Sequence, residues 1–88
     1  MNKLQVVIVT PESTALDKHV DSVVLPLFDG EIGILPNHAP MIGRLGEGKL
    51  RIKDGSNEES YQVDGGFVQV ESNVVSILTG KSDAVTAE

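Results

Sequence analysis

The segment with the clearest chemical pattern is Gly43–Lys49, whose glycines and lysine have the spacing G-x-x-x-x-G-K of a phosphate-binding loop. In such a loop a Ser or Thr follows the lysine and binds magnesium, and a helix begins there. Here Leu50 occupies that position, and the next residues alternate apolar and polar as in a strand. The pattern therefore predicts a glycine turn followed by a strand, and no nucleotide site.

Lys18 is a second candidate, because it resembles the modified lysine of lipoyl and biotinyl carrier domains, which are also small, acidic and rich in strands. Carrier domains present that lysine on a tight hairpin near the middle of the chain. Lys18 comes early, and His19 is bulkier than the small residue that usually follows a lipoylated lysine. We expect a solvated lysine at the end of a strand, and a carrier domain modified at Lys18 stays an alternative.

The remaining reactive side chains are scattered. His19 and His38 have no neighbouring ligands at metal-binding spacing, and the chain has no cysteine. Asp29 and Glu31 flank Gly30 on a predicted loop, where they would form an acid–base pair only by accident of folding. The sequence thus predicts a protein without catalytic residues, metal ligands or a cofactor.

The charge balance limits the partners of this 88-residue chain. Its formal net charge of −6 repels phosphate backbones and anionic lipid, which argues against nucleic acid as a partner. It has no apolar run of the length that spans a membrane and no apolar leader at its start, so we expect no direct membrane insertion and no signal peptide.

The elements that position these residues are predicted to be strands. Twelve valines and six isoleucines stand against four alanines, and branched side chains favour strands over helices. Short apolar runs, often with a period of two, are separated by breakers at Asp29-Gly30, Pro36-Asn37, Gly46–Gly48, Asp54–Asn57 and Asp64–Gly66. We predict one all-β domain over residues 1–88, a small sandwich or barrel, in which Asp83–Glu88 fray.

One segment has a composition that suggests more than a structural role. Gly30–Pro40 contains two glycines and two prolines beside Asn37 and His38. The prolines fix φ and push the residues before them towards extended conformations. The segment is therefore either a stiff corner of the sandwich or a preformed contact surface for another protein, which would lose little entropy on binding.

This segment, GEIGILPNHAP, closely resembles the signature of the epsilon subunit of bacterial and chloroplast F-type ATP synthases. Two later blocks also look like that family, Leu45–Ile52 and Gly65–Leu78, and the three blocks follow in the family's order. The resemblance implies a β-sandwich of about ten short strands. It also implies a non-catalytic rotor subunit of the central stalk, which joins the gamma subunit to the membrane c ring and couples ion translocation to ATP synthesis.

The resemblance further implies two contact sets. Asp29, Gly30 and Glu31 would face the c ring, and Asn37, His38 and Pro40 would contact gamma. The implied location is the cytoplasmic face of the bacterial inner membrane or the stromal face of the thylakoid membrane, as a peripheral part of the complex. A free-standing β-sandwich adaptor with another partner stays a second alternative.

The sequence departs from the family pattern at one point. Members commonly continue into a C-terminal pair of helices, which can restrain ATP hydrolysis and in some members bind ATP. This sequence ends at Glu88, close after the last predicted strand. We expect from it no C-terminal helices, no ATP binding and no inhibition of hydrolysis through a helical arm.

Overall fold

The computed structural model describes residues 3–80 and 82–85, and their regular structure consists of strands. The strands are β1 (Leu4–Val9), β2 (Thr14–Val20), β3 (Ser22–Leu27), β4 (Gly30–Ile34), β5 (Met41–Asp54), β6 (Asn57–Glu71), β7 (Val74–Leu78) and β8 (Ser82–Val85). The described residues include no helix that is long and apolar enough to cross a membrane. The all-β prediction is confirmed, although the described residues form eight strands where about ten short ones were expected.

The difference in strand number comes from β5 and β6, which are long and belong to both layers of the fold. The strand order is β2-β1-β7-β6-β5-β3-β4, with β8 also paired to β6. The C-terminal part of β6 pairs with β7, whereas its N-terminal part pairs with β8. β1 and β7 run parallel, and the other strand pairs are antiparallel. Two layers therefore share β5 and β6 and face one another.

Glycines allow these two strands to bend while they stay paired on both sides of the bend. In β5 the buried position changes from odd to even numbers between Leu45 and Leu50, and β6 makes the matching change between Val63 and Val68. At the bend Gly66 has φ +114°, and a Cβ there would overlap the carbonyl oxygen of Leu78. The predicted breaks at Gly46–Gly48 and Asp64–Gly66 are therefore wrong, because the chain stays in strand conformation through both.

The core between the layers is aliphatic. Its buried members are Leu4, Val6, Ile8, Val20, Val23, Leu25, Ile34, Leu45, Leu50, Ile52, Val63, Val68, Val70, Val75 and Ile77. Branched side chains fill the narrow space between two pleated sheets. Tyr61 packs at the edge of this cluster, whereas Phe28 and Phe67 are exposed. Two large aromatic side chains are thus left on the surface.

The C-terminal region also differs from the prediction. Residues 82–85 form β8, which pairs antiparallel with Ser60–Val63 of β6. The expectation of fraying from Asp83 is therefore wrong for the part of that segment which the structure describes. Its final residues, 86–88, lie outside the described residues.

Lys18 lies in the middle of β2, opposite Val6 of β1, and not at a strand end or on a hairpin tip. Its Nζ is 2.9 Å from Oε2 of Glu59 on β6, and the Tyr61 hydroxyl donates to Oε1 of the same carboxylate. The position and the ion pair differ from the free, tip-mounted lysine that a carrier domain needs. They instead give Lys18 a structural role as a link between β2 and β6.

This link predicts a pH dependence of stability. The hydrogen bond from Lys18 lowers the pKa of Glu59 below its ordinary value of 4.5. The stabilisation is therefore complete above pH 4.5 and is lost as the pH falls through the lowered pKa of the folded state. Glu59→Gln should reduce Tm slightly at pH 7, because both side chains are more than one-third exposed, and the reduction should shrink as the pH falls below 4.5.

Thermal unfolding followed by circular dichroism at pH 7 and pH 3 would measure the effect. Glu58→Gln is the matched control, because it removes the same charge from the neighbouring exposed residue, which forms no ion pair among the described residues. A reduction of Tm by Glu59→Gln that is the same at both pH values would show that Glu59 acts through packing and not through its charge.

Candidate functional site

The β3–β4 hairpin places the predicted c-ring residues at its tip. Leu27 pairs with Gly30, so that Phe28 and Asp29 form the turn. Gly30 has φ +143°, a conformation that side chains rarely adopt, and it begins β4 together with Glu31. The prediction that Asp29 and Glu31 share a loop is therefore correct only for Asp29. We call Phe28–Glu31 the hairpin tip.

The two carboxylates of the hairpin tip differ in their surroundings. One Glu31 carboxylate oxygen lies 3.6 Å from a terminal nitrogen of Arg51 on β5, so the carboxylate is not free, although the side chain is 57% exposed. Asp29 is exposed and has no ion-pair partner among the described residues. Asp29 is thus the acidic group of the tip that is open to an outside partner.

Phe28 is the residue of the tip that the sequence reasoning missed. Its side chain is 68% exposed, while its backbone N–H donates to the carbonyl oxygen of Arg44. A fixed backbone with an exposed aromatic ring suits a contact surface, because aromatic side chains contribute strongly at protein interfaces. Its place in a predicted turn, next to Asp29-Gly30, was the available signal.

The predicted gamma-contact residues lie in the connection between β4 and β5. Pro36 and Asn37 form a turn that the His38 N–H closes on the Leu35 carbonyl oxygen, at 3.2 Å. Asn37 has φ 69°, which asparagine tolerates better than most residues. We call residues 35–40 the corner, and the structure brings Asn37, His38 and Pro40 together in it.

The His38 ring has a defined orientation. Its Nδ1 lies 2.7 Å from the carbonyl oxygen of Ala39. Because a carbonyl oxygen can only accept, Nδ1 carries a proton and Nε2 is left for an outside group. The half-buried ring is thus held in place with one nitrogen available for a partner.

The hairpin tip and the corner lie at opposite ends of β4. Three strand residues, 32–34, lie between them, and the four steps from Glu31 to Leu35 span about 13 Å at the usual rise per residue. They are therefore two contact regions joined by a strand, and not one site.

A third surface lies on the outer side of the layer formed by β1, β7 and the adjoining parts of β6 and β5. Phe67 is directly opposite Leu78, which is opposite Val9. The neighbouring row on the same side of the sheet contains Ile42, which is 76% exposed, and Val7. The apolar face, as we define it, consists of Val7, Val9, Ile42, Phe67 and Leu78.

The apolar face continues into the corner. A shallow groove is lined by Pro40, Met41 and Ile42 on one side and by Gln69, Val70 and Glu71 on the other. Ile42, Phe67 and Leu78 are exposed and the two valines are half-buried, and Gln69 and Ser76 lie between Ile42 and Val7 in their row. Exposed apolar side chains grouped on a sheet typically mark a surface that another protein covers. Sequence reasoning missed this face, because the alternation of strand residues does not show which apolar side faces the core.

The described residues contain no group of histidine, cysteine and acidic side chains that could hold a metal ion. Gly43–Lys49 lies within β5, so the predicted glycine turn is wrong there, whereas the strand predicted after it is present. The groups with clearly shifted pKa values are Lys3, Lys18, Glu59 and Tyr61, and they belong to ion pairs or to the core edge.

Comparison with known families gives a match over nearly the whole chain. Residues 3–85 match the family described as "ATP synthase, Delta/Epsilon chain, beta-sandwich domain". The ATP synthase epsilon chain of Rhodopirellula baltica is 56% identical over 79 residues, which cover 90% of this chain and 62% of that relative. The chloroplastic epsilon chain of Oltmannsiellopsis viridis is 36% identical over 81 residues, which cover 92% of this chain and 62% of that one. This chain thus spans less than two thirds of these relatives.

Two solved structures share the fold. A chain of the Euglena gracilis mitochondrial ATP synthase superposes with a TM-score of 0.88 at 24% identity, covering 93% of this chain and 53% of that one. A chain of the central stalk and c-ring structure of the Tetrahymena thermophila mitochondrial ATP synthase gives a TM-score of 0.78 at 18% identity, covering 93% and 66%. At these identities the likeness extends to the fold alone.

Proposed function

The chain belongs to the family of the ATP synthase delta/epsilon chain β-sandwich domain, and we propose that it acts as the sandwich part of an epsilon subunit. In this role it is a non-catalytic component of the central stalk, which joins the gamma subunit to the membrane c ring. The observation that carries the proposal is the family match over residues 3–85, together with 56% identity to a bacterial epsilon chain.

The hairpin tip is the proposed contact with the c ring. Asp29, Gly30 and Glu31 form it, and Phe28 adds an exposed aromatic ring beside the unpaired Asp29 carboxylate. Such a surface suits a partner loop that offers apolar atoms and a basic side chain.

The corner and the apolar face together are the proposed contact with gamma. Asn37, His38 and Pro40 form the polar part, and the groove beside Pro40 leads to the exposed side chain of Ile42. An apolar centre with a polar rim is the usual composition of a stable protein interface. Continuity between the two surfaces supports a single partner.

The sandwich would serve as a stiff spacer between these partners. β3, which pairs with β4 on one side and with β5 on the other, supports the strand that runs from the hairpin tip to the corner. A force applied at the tip would then pass through hydrogen-bonded strands to the gamma-contact surface. This is the mechanical requirement for coupling ion translocation to ATP synthesis. The proposed location, a peripheral part of the complex on the cytoplasmic face of the bacterial inner membrane or the stromal face of the thylakoid membrane, follows from the proposed role.

The decisive experiment is co-purification from native membranes with an affinity-tagged chain. We expect ATPase activity, gamma and c subunits to co-purify with it. A free-standing adaptor would bring down another partner without ATPase activity, which would contradict the proposal. Intact mass of the purified chain would test the carrier alternative, since modification of Lys18 would add a covalent adduct.

The charges of the hairpin tip give a further prediction. Asp29→Asn should weaken binding to c-ring membranes by about 1.4- to fivefold, the effect of an exposed charge pair of about 0.2–1 kcal/mol. Glu31→Gln should weaken it less, because that carboxylate is already shared with Arg51. Sedimentation of the chain with c-ring vesicles at low and high salt would measure both effects. Full and equal binding by both variants would remove these charges from the interface.

A further inference from the structure

The turn between β6 and β7 contacts the corner at a point of unusual backbone conformation. Asn37, Ser72 and Asn73 have φ values of 69°, 51° and 63°, and they are the non-glycine residues with positive φ in the part of the chain that the structure describes. Such conformations cost free energy and persist where the surrounding structure requires them. Two of the three residues, Asn37 and Asn73, are hydrogen-bonded to each other.

Asn73 joins three parts of the fold. Its side-chain Oδ1 accepts a hydrogen bond from the backbone N–H of Asn37, at 2.6 Å. Its backbone carbonyl oxygen accepts from the N–H of Gln5 on β1, at 2.8 Å. The residue is therefore anchored on the sheet while its side chain reaches the corner. The hydrogen bonds of His38 to Leu35 and Ala39 stay within the corner and do not attach it to the sheet.

We propose that Asn73 is a positioning residue that holds the corner in the conformation that binds gamma. The proposal rests on the proposed function, because it is that function which assigns the corner to gamma. Asn37 and Asn73 are both on the surface, so the bond exchanges with water and adds little to global stability. Its effect is to fix the backbone of Asn37, and with it the direction of the neighbouring His38 ring.

Substitutions at Asn73 separate the hydrogen bond from the backbone conformation. Asn73→Gly removes the acceptor and suits the positive φ. Asn73→Asp keeps an acceptor oxygen and tolerates the same φ. Ser72→Gly is the matched control, because it makes the same turn equally flexible and removes a side chain that makes no hydrogen bond to the corner.

Two measurements on the full chain test the proposal. Amide hydrogen exchange by NMR should show faster exchange of the Asn37 N–H in Asn73→Gly, and rates near wild type in Asn73→Asp and Ser72→Gly. The affinity for gamma should fall about three- to tenfold in Asn73→Gly, the range that one net hydrogen bond supplies, with recovery in Asn73→Asp. Tm should stay close to wild type in Asn73→Asp and Ser72→Gly and fall by only a few degrees in Asn73→Gly, because the lost hydrogen bond belongs to the folded state.

Each contrary outcome has a distinct meaning. Unchanged exchange of the Asn37 N–H in Asn73→Gly would show that the hydrogen bond from Asn37 to Asn73 does not hold the corner. Faster exchange with unchanged affinity for gamma would overturn the positioning role and leave the proposed function intact. A wild-type chain that does not bind gamma would contradict the proposed function and the partner that it names. The exchange rates would still decide whether Asn73 holds the backbone of Asn37.

Discussion

Replacing Gly66 by alanine is expected to lower the free energy of unfolding by about 3–5 kcal/mol, a large part of the stability of a domain this small. The new Cβ would overlap the carbonyl oxygen of Leu78, which is backbone and has no flexible end that moves aside. The residue would also have to adopt φ +114°, where side chains are strained. Both effects act at the bend that lets β6 pass from one layer to the other.

Urea denaturation would measure this loss, and Gly33→Ala is its matched control. Gly33 lies in β4 with open space around the position of a Cβ and without a positive φ. Alanine there should be neutral or stabilise the fold by up to about 1 kcal/mol, because it reduces the freedom of the unfolded chain. Equal stability of the two variants would show that the bend at Gly66 is not required by the fold.

The same glycines explain why two segments predicted as breaks between strands lie inside strands in the structure. Gly46–Gly48 and Asp64–Gly66 combine turn-forming residues with a change in the alternation of buried positions, and both features locally indicate a break. In the fold the two segments lie opposite each other, since Leu45 pairs with Gly66 and Glu47 with Asp64. The long-range ladder holds both strands through the bend. Local patterns hold no information about that pairing.

The contact surfaces, like the strands, could be predicted from the sequence only in part. The resemblance at Gly30–Pro40 predicts two contact sets, Asp29–Glu31 for the c ring and Asn37, His38 and Pro40 for gamma. The structure places these two sets at opposite ends of β4. The pairing of Glu31 with Arg51 depends on the position of β3 between their strands, which the sequence does not reveal. The bond between Asn37 and Asn73 joins residues 36 positions apart and was equally hidden. Contacts that depend on strand order are those that required the structure.

The apolar face is expected to account for most of the affinity for gamma. Replacing Ile42 and Phe67 together by serine should weaken gamma binding by about thirtyfold or more, because residues at the apolar centre of an interface commonly contribute 2 kcal/mol or more. Both side chains are more than half exposed, at 76% and 55%, so their removal should leave Tm nearly unchanged. Calorimetric titration of the full chain with gamma would give the affinity, and circular dichroism would confirm the fold.

Phe28→Ser is the control for this double variant, because Phe28 is as exposed as they are but lies on the hairpin tip. It should bind gamma normally and bind c-ring vesicles less well, whereas the double variant should show the opposite pattern. If both variants lost affinity for the same partner, the tip and the apolar face would belong to one interface, and β4 would not act as a spacer between two. If the double variant bound gamma normally, the corner alone would carry that contact. The apolar face would then be covered by another part of the complex.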